Sequence, residues 1–458
     1  MSRAANHHRF EELRLEHPVF TYESYTVTID ENMIAIDFHF SMGSNHNFFP
    51  GLKIPKKGFF RPENLSVAAL DVIAFNIGMI ELVSYWKAAC APNVVIMPCR
   101  LNEAQIQWWK NVYYQGLGEF FYLNTISCSP HDFMKMTADS GKSLDRSIAA
   151  LSDAVIVPVG GGKDSVVTLK LLSLAGLKVI PFILNPAAAT LNTIEAAGYN
   201  RNDIVEMQRR IDPHLIELNS RGFLNGHTPF SAMLAFNCLL AASLCGCRNI
   251  ALSNEASANE STIPGTTINH QYSKSYGFER DFRSYYKANI NSSFNYFSFL
   301  RPLHELEIAR IFSGFPEFFE VFRSCNAGSK TGIWCGNCPK CLFAAIILAP
   351  WLGRETIIKI FGKDILDDTN LKHHFDDLCG INPEKPFECV GTLEEVNVAM
   401  AMIVNQWNKP LPALAAYYAS TDNFRLYENS EGKMITEFPN ENNFLEPLFL
   451  NILLKATE

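Results

Sequence analysis

The first thirty residues of this 458-residue chain hold no uninterrupted apolar stretch, so neither a secretory signal nor an N-terminal anchor is expected. Positive charge is scarce too. The 39 Lys and Arg against 47 Asp and Glu give a formal net charge of −8, and no basic tract is visible. That counts against a nucleic-acid partner, because a duplex binder needs a basic face to release counterions. An anionic substrate has to be met by local positive charge. Nor does any apolar segment reach the roughly 18 residues of a membrane span. The nearest, Phe230 to Leu244, is interrupted by Ser231, Asn237 and Ser243 and reads as a buried helix, so no membrane partner is expected. The twelve cysteines lack the framework of a secreted disulfide domain, which points to reduced thiols and a cytoplasmic protein. Repeats and low-complexity tracts are missing as well.

What remains is ordinary for a globular protein of two or three domains, with 48% hydrophobic and 19% charged residues. Residues 1 to about 20 are polar and expected to be poorly ordered. Alternation over Tyr25 to Ile29 and Met33 to Phe40 predicts a hairpin. Leu65 to Ala89 has helical spacing, and a further helix starts at Asn102 as its cap, with Glu103 in the first turn. Phe120 to Ile126 reads as a strand. Residues 1–145 show no metal-ligand spacing and no pairing of nucleophile with base.

The chain is organised around Val155-Ile156-Val157-Pro158-Val159-Gly160-Gly161-Gly162-Lys163-Asp164-Ser165. A β-branched run, three glycines and then Val167, Leu171 and Leu174 at helical spacing predict strand, tight turn and helix. Such a turn suits a phosphate: glycines let the backbone amides approach closely, and the helix N-terminus favours negative charge. It is not a Walker A loop, because Val157 and Asp164 stand where that motif needs a glycine and a Ser or Thr. Lys178 to Leu184 is a second strand ending at Asn185, so a parallel crossover should bring Asn185 beside the glycine loop.

Downstream, Asn225-Gly226-His227-Thr228-Pro229 places Thr228 as a helix cap with Pro229 as the first helical residue, and sets His227 at the helix mouth. Asn249 to Leu252 is a short strand ending in Ser253-Asn254-Glu255. Asn269 to Ser275, which includes His270 and Lys274, is dense in hydrogen-bonding groups and is the best candidate for substrate contact. Cys325, Cys335, Cys338 and Cys341 include the run Cys-Gly-Asn-Cys-Pro-Lys-Cys, whose spacing would let four thiolates close a tetrahedral zinc site. Beyond Pro350 a smaller, mostly helical part is expected.

The glycine loop resembles the PP-loop of ATP pyrophosphatases, Ser-Gly-Gly-x-Asp-Ser, with Gly160 in place of the first serine. Taken with Gly118-Glu119-Phe120-Phe121 and the segments just quoted, from about Phe75 to Glu388, the chain resembles the ATP-dependent UDP-N-acetylmuramoyl-L-alanyl-L-glutamate epimerase family. That resemblance implies an α/β fold, the PP-loop (adenine nucleotide alpha-hydrolase-like) doubly wound parallel sheet. It would span residues 146–350, between an N-terminal α+β domain, 1–145, and a C-terminal helical part, 351–458. It implies ATP and Mg2+, with a UDP-linked muramoyl dipeptide as the partner substrate. Gly160, Gly161, Gly162 and Ser165 would hold the pyrophosphate end of ATP, Lys163 would offset its charge and Asp164 would place magnesium. Asn185, Ser253 and Asn254 would contact the nucleotide. His227, Glu255, His270 and Lys274 are candidates for proton transfer or for gripping the activated carboxyl group, and the sequence does not choose among them. Two other functions fit the loop: adenylation of a tRNA base or small heterocycle, and nucleotide binding without turnover.

Overall fold

The alternating pattern near the N-terminus builds a hairpin, and in the computed structural model it is longer than expected. Strand β1 is Val19–Ile29 and β2 is Met33–Met42, antiparallel, with Tyr25 opposite Phe38. The structure describes residues 3–61, 66–144, 146, 151–263, 265–266, 268–430 and 442–458. Further strands are β3 (His46–Phe48), β4 (Gly51–Pro55), β5 (Asn93–Ile96), β6 (Lys135–Thr137), β7 (Ser152–Pro158) and β8 (Val179–Leu184). The last three are β9 (Val205–Arg210), β10 (Cys247–Leu252) and β11 (Asn295–Ser298).

Two compact units share the chain by interleaved segments. The first takes Met1–Ile156, Asn202–Ile250 and Thr267–Asn295; the second takes Val157–Arg201, Ala251–Thr266 and Tyr296–Glu458. The three consecutive parts read from the sequence differ from these units because the chain passes between them five times. Residue 145, the first of the expected boundaries, lies outside the described residues.

In the first unit the strand order is β9-β4-β2-β1-β5-β6, with β3 on β2. The β1–β5 and β5–β6 pairs are parallel and the others antiparallel. Along β2 every second residue, Ile34 through Met42, is buried. The helix Val67–Trp86 packs on this face, and a Cβ at Gly78 would fall 1.9 Å from the Tyr22 hydroxyl, so only glycine permits that approach. Leu65, where the sequence pattern began this helix, lies outside the described residues; Ser66 is the cap, accepting from the Ala69 amide at 3.4 Å. By length and composition this helix and Pro339–Phe361, rather than Phe230–Cys245, come nearest to a membrane span, but 83% of the first one's apolar window is buried inside the protein. It is a core helix.

Three local expectations are corrected. The polar N-terminus is a helix, Arg3–Glu16, because Phe10 and Leu13 bury themselves and Arg14 donates to the carbonyls of Cys90 and Phe133. Phe120 to Ile126 is not a strand: Gly118–Leu123 is a short helix whose Glu119, Phe120 and Phe121 are all buried, a continuity that alternation cannot reveal. Thr228 does not cap the next helix. Pro229 takes the cap position of Phe230–Cys245, and Thr228 accepts a hydrogen bond from Lys87 instead. The helix at Asn102 forms as expected, Glu103–Gly116, with a reciprocal capping box between Asn102 and Gln105.

Strands β11-β10-β7-β8 are adjacent in that order, with β10 parallel to β7. Their carboxyl ends belong to the second unit, as do the loops that follow them. The C-terminal part of this unit is helical, with Pro339–Phe361, Lys372–Cys379, Leu393–Gln406, Ala413–Tyr418, Asp422–Tyr427 and Pro447–Thr457. Pro350 and Gly353, at φ +73°, break the first of these. The chain is thus a mixed α/β protein with a parallel-rich sheet and a helical C-terminal part.

Candidate functional site

The glycine turn forms as its residues dictate. Strand β7 ends at Pro158, the Val159 amide donates to the Phe182 carbonyl at 2.8 Å, and the helix Lys163–Leu174 starts directly after Gly162. Gly161 has φ +84°, and a Cβ there would meet the Ala189 backbone at 3.0 Å, so the turn needs glycine on both counts. Gly160 faces open space. The Ser165 hydroxyl donates to the Gly162 carbonyl at 2.9 Å.

Lys163 is turned inward. Its ammonium is buried, 2.5 Å from Asp164 and in close contact with the buried Glu305 carboxylate. Burial works against that charge, but the two carboxylates outweigh it and hold Lys163 protonated above its ordinary range. Asp164 stays one-third exposed. Beyond β10, Asn254 donates to the Ser298 hydroxyl at 2.9 Å, and the Ser253 hydroxyl oxygen is buried with no hydrogen-bond partner among the described residues. Glu255 is buried, with Ser257 donating to its carboxylate at 3.4 Å and Arg301 to its backbone carbonyl at 2.7 Å. Asn185 adopts a left-handed conformation, φ +59°.

The first unit holds a second constellation. Gly226 comes down on Phe120, where a Cβ would lie 3.1 Å from the ring, and Pro229 packs against Gly116. These approaches carry His227 to the short helix Gly118–Leu123, so that His227 Nδ1 stands 3.4 Å from Glu119 Oε2. His270 Nδ1 makes a very short hydrogen bond to the same oxygen, and the imidazole centroids are 4.6 Å apart. A carboxylate only accepts, so the ring bonded to it carries its proton on Nδ1. Burial, with the neighbouring His270, pushes the pKa of His227 down to about 4, which leaves it neutral near pH 7. Lys87 closes the group, donating to the Gly226 carbonyl and, at 2.7 Å, to Thr228 Oγ1. Burial lowers its pKa to about 8. Lys274 is in this unit too, 3.4 Å from Gln271 Oε1.

Cys325, Cys335, Cys338 and Cys341 converge, with all four sulfurs within 4.8 Å of one another. Cys341 Sγ lies 3.5 Å from those of Cys335 and Cys338. Hydrogen bonds from Cys338 and Cys341 hold the Cys325 thiol well below its usual range.

Comparison with known proteins supplies the family. Residues 12–299 match the MurL N-terminal domain and residues 321–424 the MurL C-terminal domain. The chain belongs to the MurL family. A UDP-N-acetyl-alpha-D-muramoyl-L-alanyl-L-glutamate epimerase of Micromonospora is 34% identical over 399 residues, covering 84% of this chain and 87% of that one. The enzyme of the same name from Salinispora tropica is 33% identical over 395 residues, 84% and 85% of the two chains. That of Xanthomonas oryzae pv. oryzae is 34% identical over 336 residues, 72% and 73%. No solved structure matches. This MurL-family chain is an enzyme, an epimerase.

Among the sequence candidates, the structure brings His227 and His270 together, groups Gly160 to Ser165 at one turn and gathers the sulfurs of the four cysteines. Glu255 belongs to the second unit and the histidines to the first. Glu119 and Lys87 were missed. The signal for Glu119 was an acidic residue in an otherwise aromatic run, Gly118-Glu119-Phe120-Phe121. Lys87 gave none, because it follows the end of an apolar helix and is placed only by its contacts.

Proposed function

We propose that this chain converts the terminal L-glutamate of UDP-N-acetylmuramoyl-L-alanyl-L-glutamate to D-glutamate, adenylating its α-carboxylate with ATP before the Cα proton is removed. The names of its relatives support the substrate and, with it, a role in peptidoglycan precursor synthesis. The glycine turn is the support for ATP: it resembles the PP-loop, Gly160 opens onto free space, and the Ser253 hydroxyl beyond β10 has no hydrogen-bond partner among the described residues. On this reading the second unit contains a PP-loop nucleotide fold, with Asp164 as the residue to hold magnesium. Twelve free thiols, none in a disulfide, are in keeping with a cytoplasmic enzyme.

The observation that carries the proton chemistry is the cluster of Glu119, His227 and His270. A free carboxylate opposes loss of the neighbouring Cα proton; as an adenylate it loses its charge and its carbonyl becomes an electron sink. His227, neutral and desolvated, is then a base matched to an acidified proton, and Glu119 supports the positive charge that forms on the imidazole pair. Return of a proton to the opposite face inverts the centre, and water then cleaves the acyl-adenylate to free the D-glutamyl product and AMP, pyrophosphate having left when the adenylate formed. The four cysteines would hold a structural zinc, apart from this chemistry.

Mass spectrometry after incubation in deuterium oxide tests the proposal. Solvent deuterium should enter the glutamyl Cα only when ATP and magnesium are both supplied, and AMP should not replace ATP. Uptake without ATP would mean that activation is not needed, and the adenylate would have to be abandoned.

A further inference from the structure

Lys87 is a buried cation with an incomplete set of partners. The residue is 7% exposed, and its ammonium donates to two neutral acceptors, the Gly226 carbonyl and the Thr228 hydroxyl. Among the described residues no carboxylate forms an ion pair with it. Buried ammonium groups are normally paired, since desolvation is costly without a counter-charge. Here the neighbourhood makes the cost larger. A cavity of about 180 Å³ opens beside Lys87, and Arg209 lines the same cavity. Arg209 is already paired by a two-pronged bond to Glu81, at 2.7 and 2.8 Å, and Glu119, whose charge reaches Lys87 from farther off, is engaged by His227 and His270, so no carboxylate is in contact with the Lys87 ammonium among the described residues. Asn225 and Thr228 add polar groups to the wall, and Ile216 and Phe230 add apolar surface. A pocket with one cation that no carboxylate touches, a polar rim and an apolar side suits a short aliphatic chain that ends in a carboxylate.

Its position matters as much as its chemistry. The two acceptors of Lys87 are the residues on either side of His227, so the ammonium is fixed relative to the imidazole proposed as the base. In a glutamyl residue the side-chain carboxylate carbon is three C–C bonds of about 1.5 Å from Cα. A group that reads this carboxylate while the base reaches Cα must therefore lie a few ångströms from the base.

We infer that Lys87 and the cavity beside it form the subsite for the side-chain carboxylate of the terminal glutamate, and that this ammonium makes the enzyme specific for glutamate over its amide. The inference rests on the substrate proposed above and adds to it a residue that determines specificity. Neutralising the buried cation also anchors the substrate against the segment that carries His227, so recognition and alignment of the base share one contact.

The test compares UDP-linked dipeptides ending in L-glutamate and in L-glutamine, with ATP and magnesium, and reads kcat/KM for deuterium uptake at Cα. The wild-type enzyme should prefer glutamate by about 100-fold or more, the usual consequence of leaving a buried charge without its partner. In Lys87→Met the preference should fall to within about tenfold, mainly through loss on glutamate, while Lys87→Arg should keep most of it. A ratio of two substrates on one preparation cancels any loss of folded protein. If Lys87→Met gives no soluble enzyme, Lys87→Gln replaces it. Equal rates on the two substrates in the wild type, or a wild-type preference retained without the ammonium, would overturn the inference. No uptake from either substrate with ATP present would instead bring down the substrate assignment and this subsite with it.

Discussion

Glu119 is the residue on which the proposed proton chemistry depends. One carboxylate oxygen receives His270 and stands 3.4 Å from His227, so a single side chain sets the orientation of both rings. The expected pH dependence follows from the sign of the shift. His227 acts as a base only when deprotonated, and its value in the fold is lowered to about 4. Activity should therefore persist as pH falls through about 6.5, where an ordinary imidazole would already be half protonated, and decline only as pH approaches about 4. Glu119→Gln removes the charge that supports the protonated ring and should lower the deuterium-uptake rate by about 10² to 10⁴-fold across the profile. ATP-dependent exchange of pyrophosphate, the step proposed for the glycine turn, should survive in this variant. An uptake rate equal to wild type would remove Glu119 from the chemistry.

Among elements, those with a local cause were legible in the sequence. The strand, glycine turn and helix from Ser152 to Leu174 follow from β-branched residues, glycines and helical spacing, and the Asn102 cap follows from side-chain chemistry. The helix Gly118–Leu123 did not, because a six-residue apolar stretch carries too little periodicity to separate helix from strand. The cysteine turn is also a local device. Cys325 caps one helix and accepts from the Gly328 amide at 3.1 Å, while Cys338 and Cys341 bracket the start of Pro339–Phe361. Around a zinc ion with bonds of about 2.3 Å, tetrahedral sulfurs would stand about 3.8 Å apart. The observed 3.5 Å separations are close to that. Elemental analysis should find about one zinc per chain, absent from the Cys338→Ser, Cys341→Ser double variant, with Tm lowered by on the order of 10 °C. A metal-free wild-type enzyme that is folded and active would leave the cysteines as packing.

At the scale of the whole molecule, the interleaving of the two units was the least legible feature, because it rests on contacts between residues far apart in the chain. An aromatic cluster in the first unit gives the physical reason. Trp109 comes from the first of its three segments, Phe236 from the second and Tyr285 from the third. Trp109 and Phe236 stack with centroids 5.2 Å apart, and Trp108 lies 3.9 Å from Tyr285. Trp109 Nε1 donates to the Tyr285 hydroxyl at 3.0 Å, which donates in turn to Asn76 at 2.7 Å. Trp109, Phe236, Tyr285 and Asn76 are buried, and neither the apolar area nor the hydrogen bonds can be recovered by one segment alone. The same holds for the buried Glu81, whose partner Arg209 comes from the second segment. Residues 1–145 expressed alone would therefore keep β1, β2 and the core helix while exposing Trp109 and leaving Glu81 without its cation. Such a fragment should aggregate or give the weak near-ultraviolet dichroism and narrow amide dispersion of a chain without fixed packing. A monomeric fragment with dispersed amide resonances would show that the first 145 residues fold on their own, and the aromatic cluster would then be a consequence of folding rather than its cause.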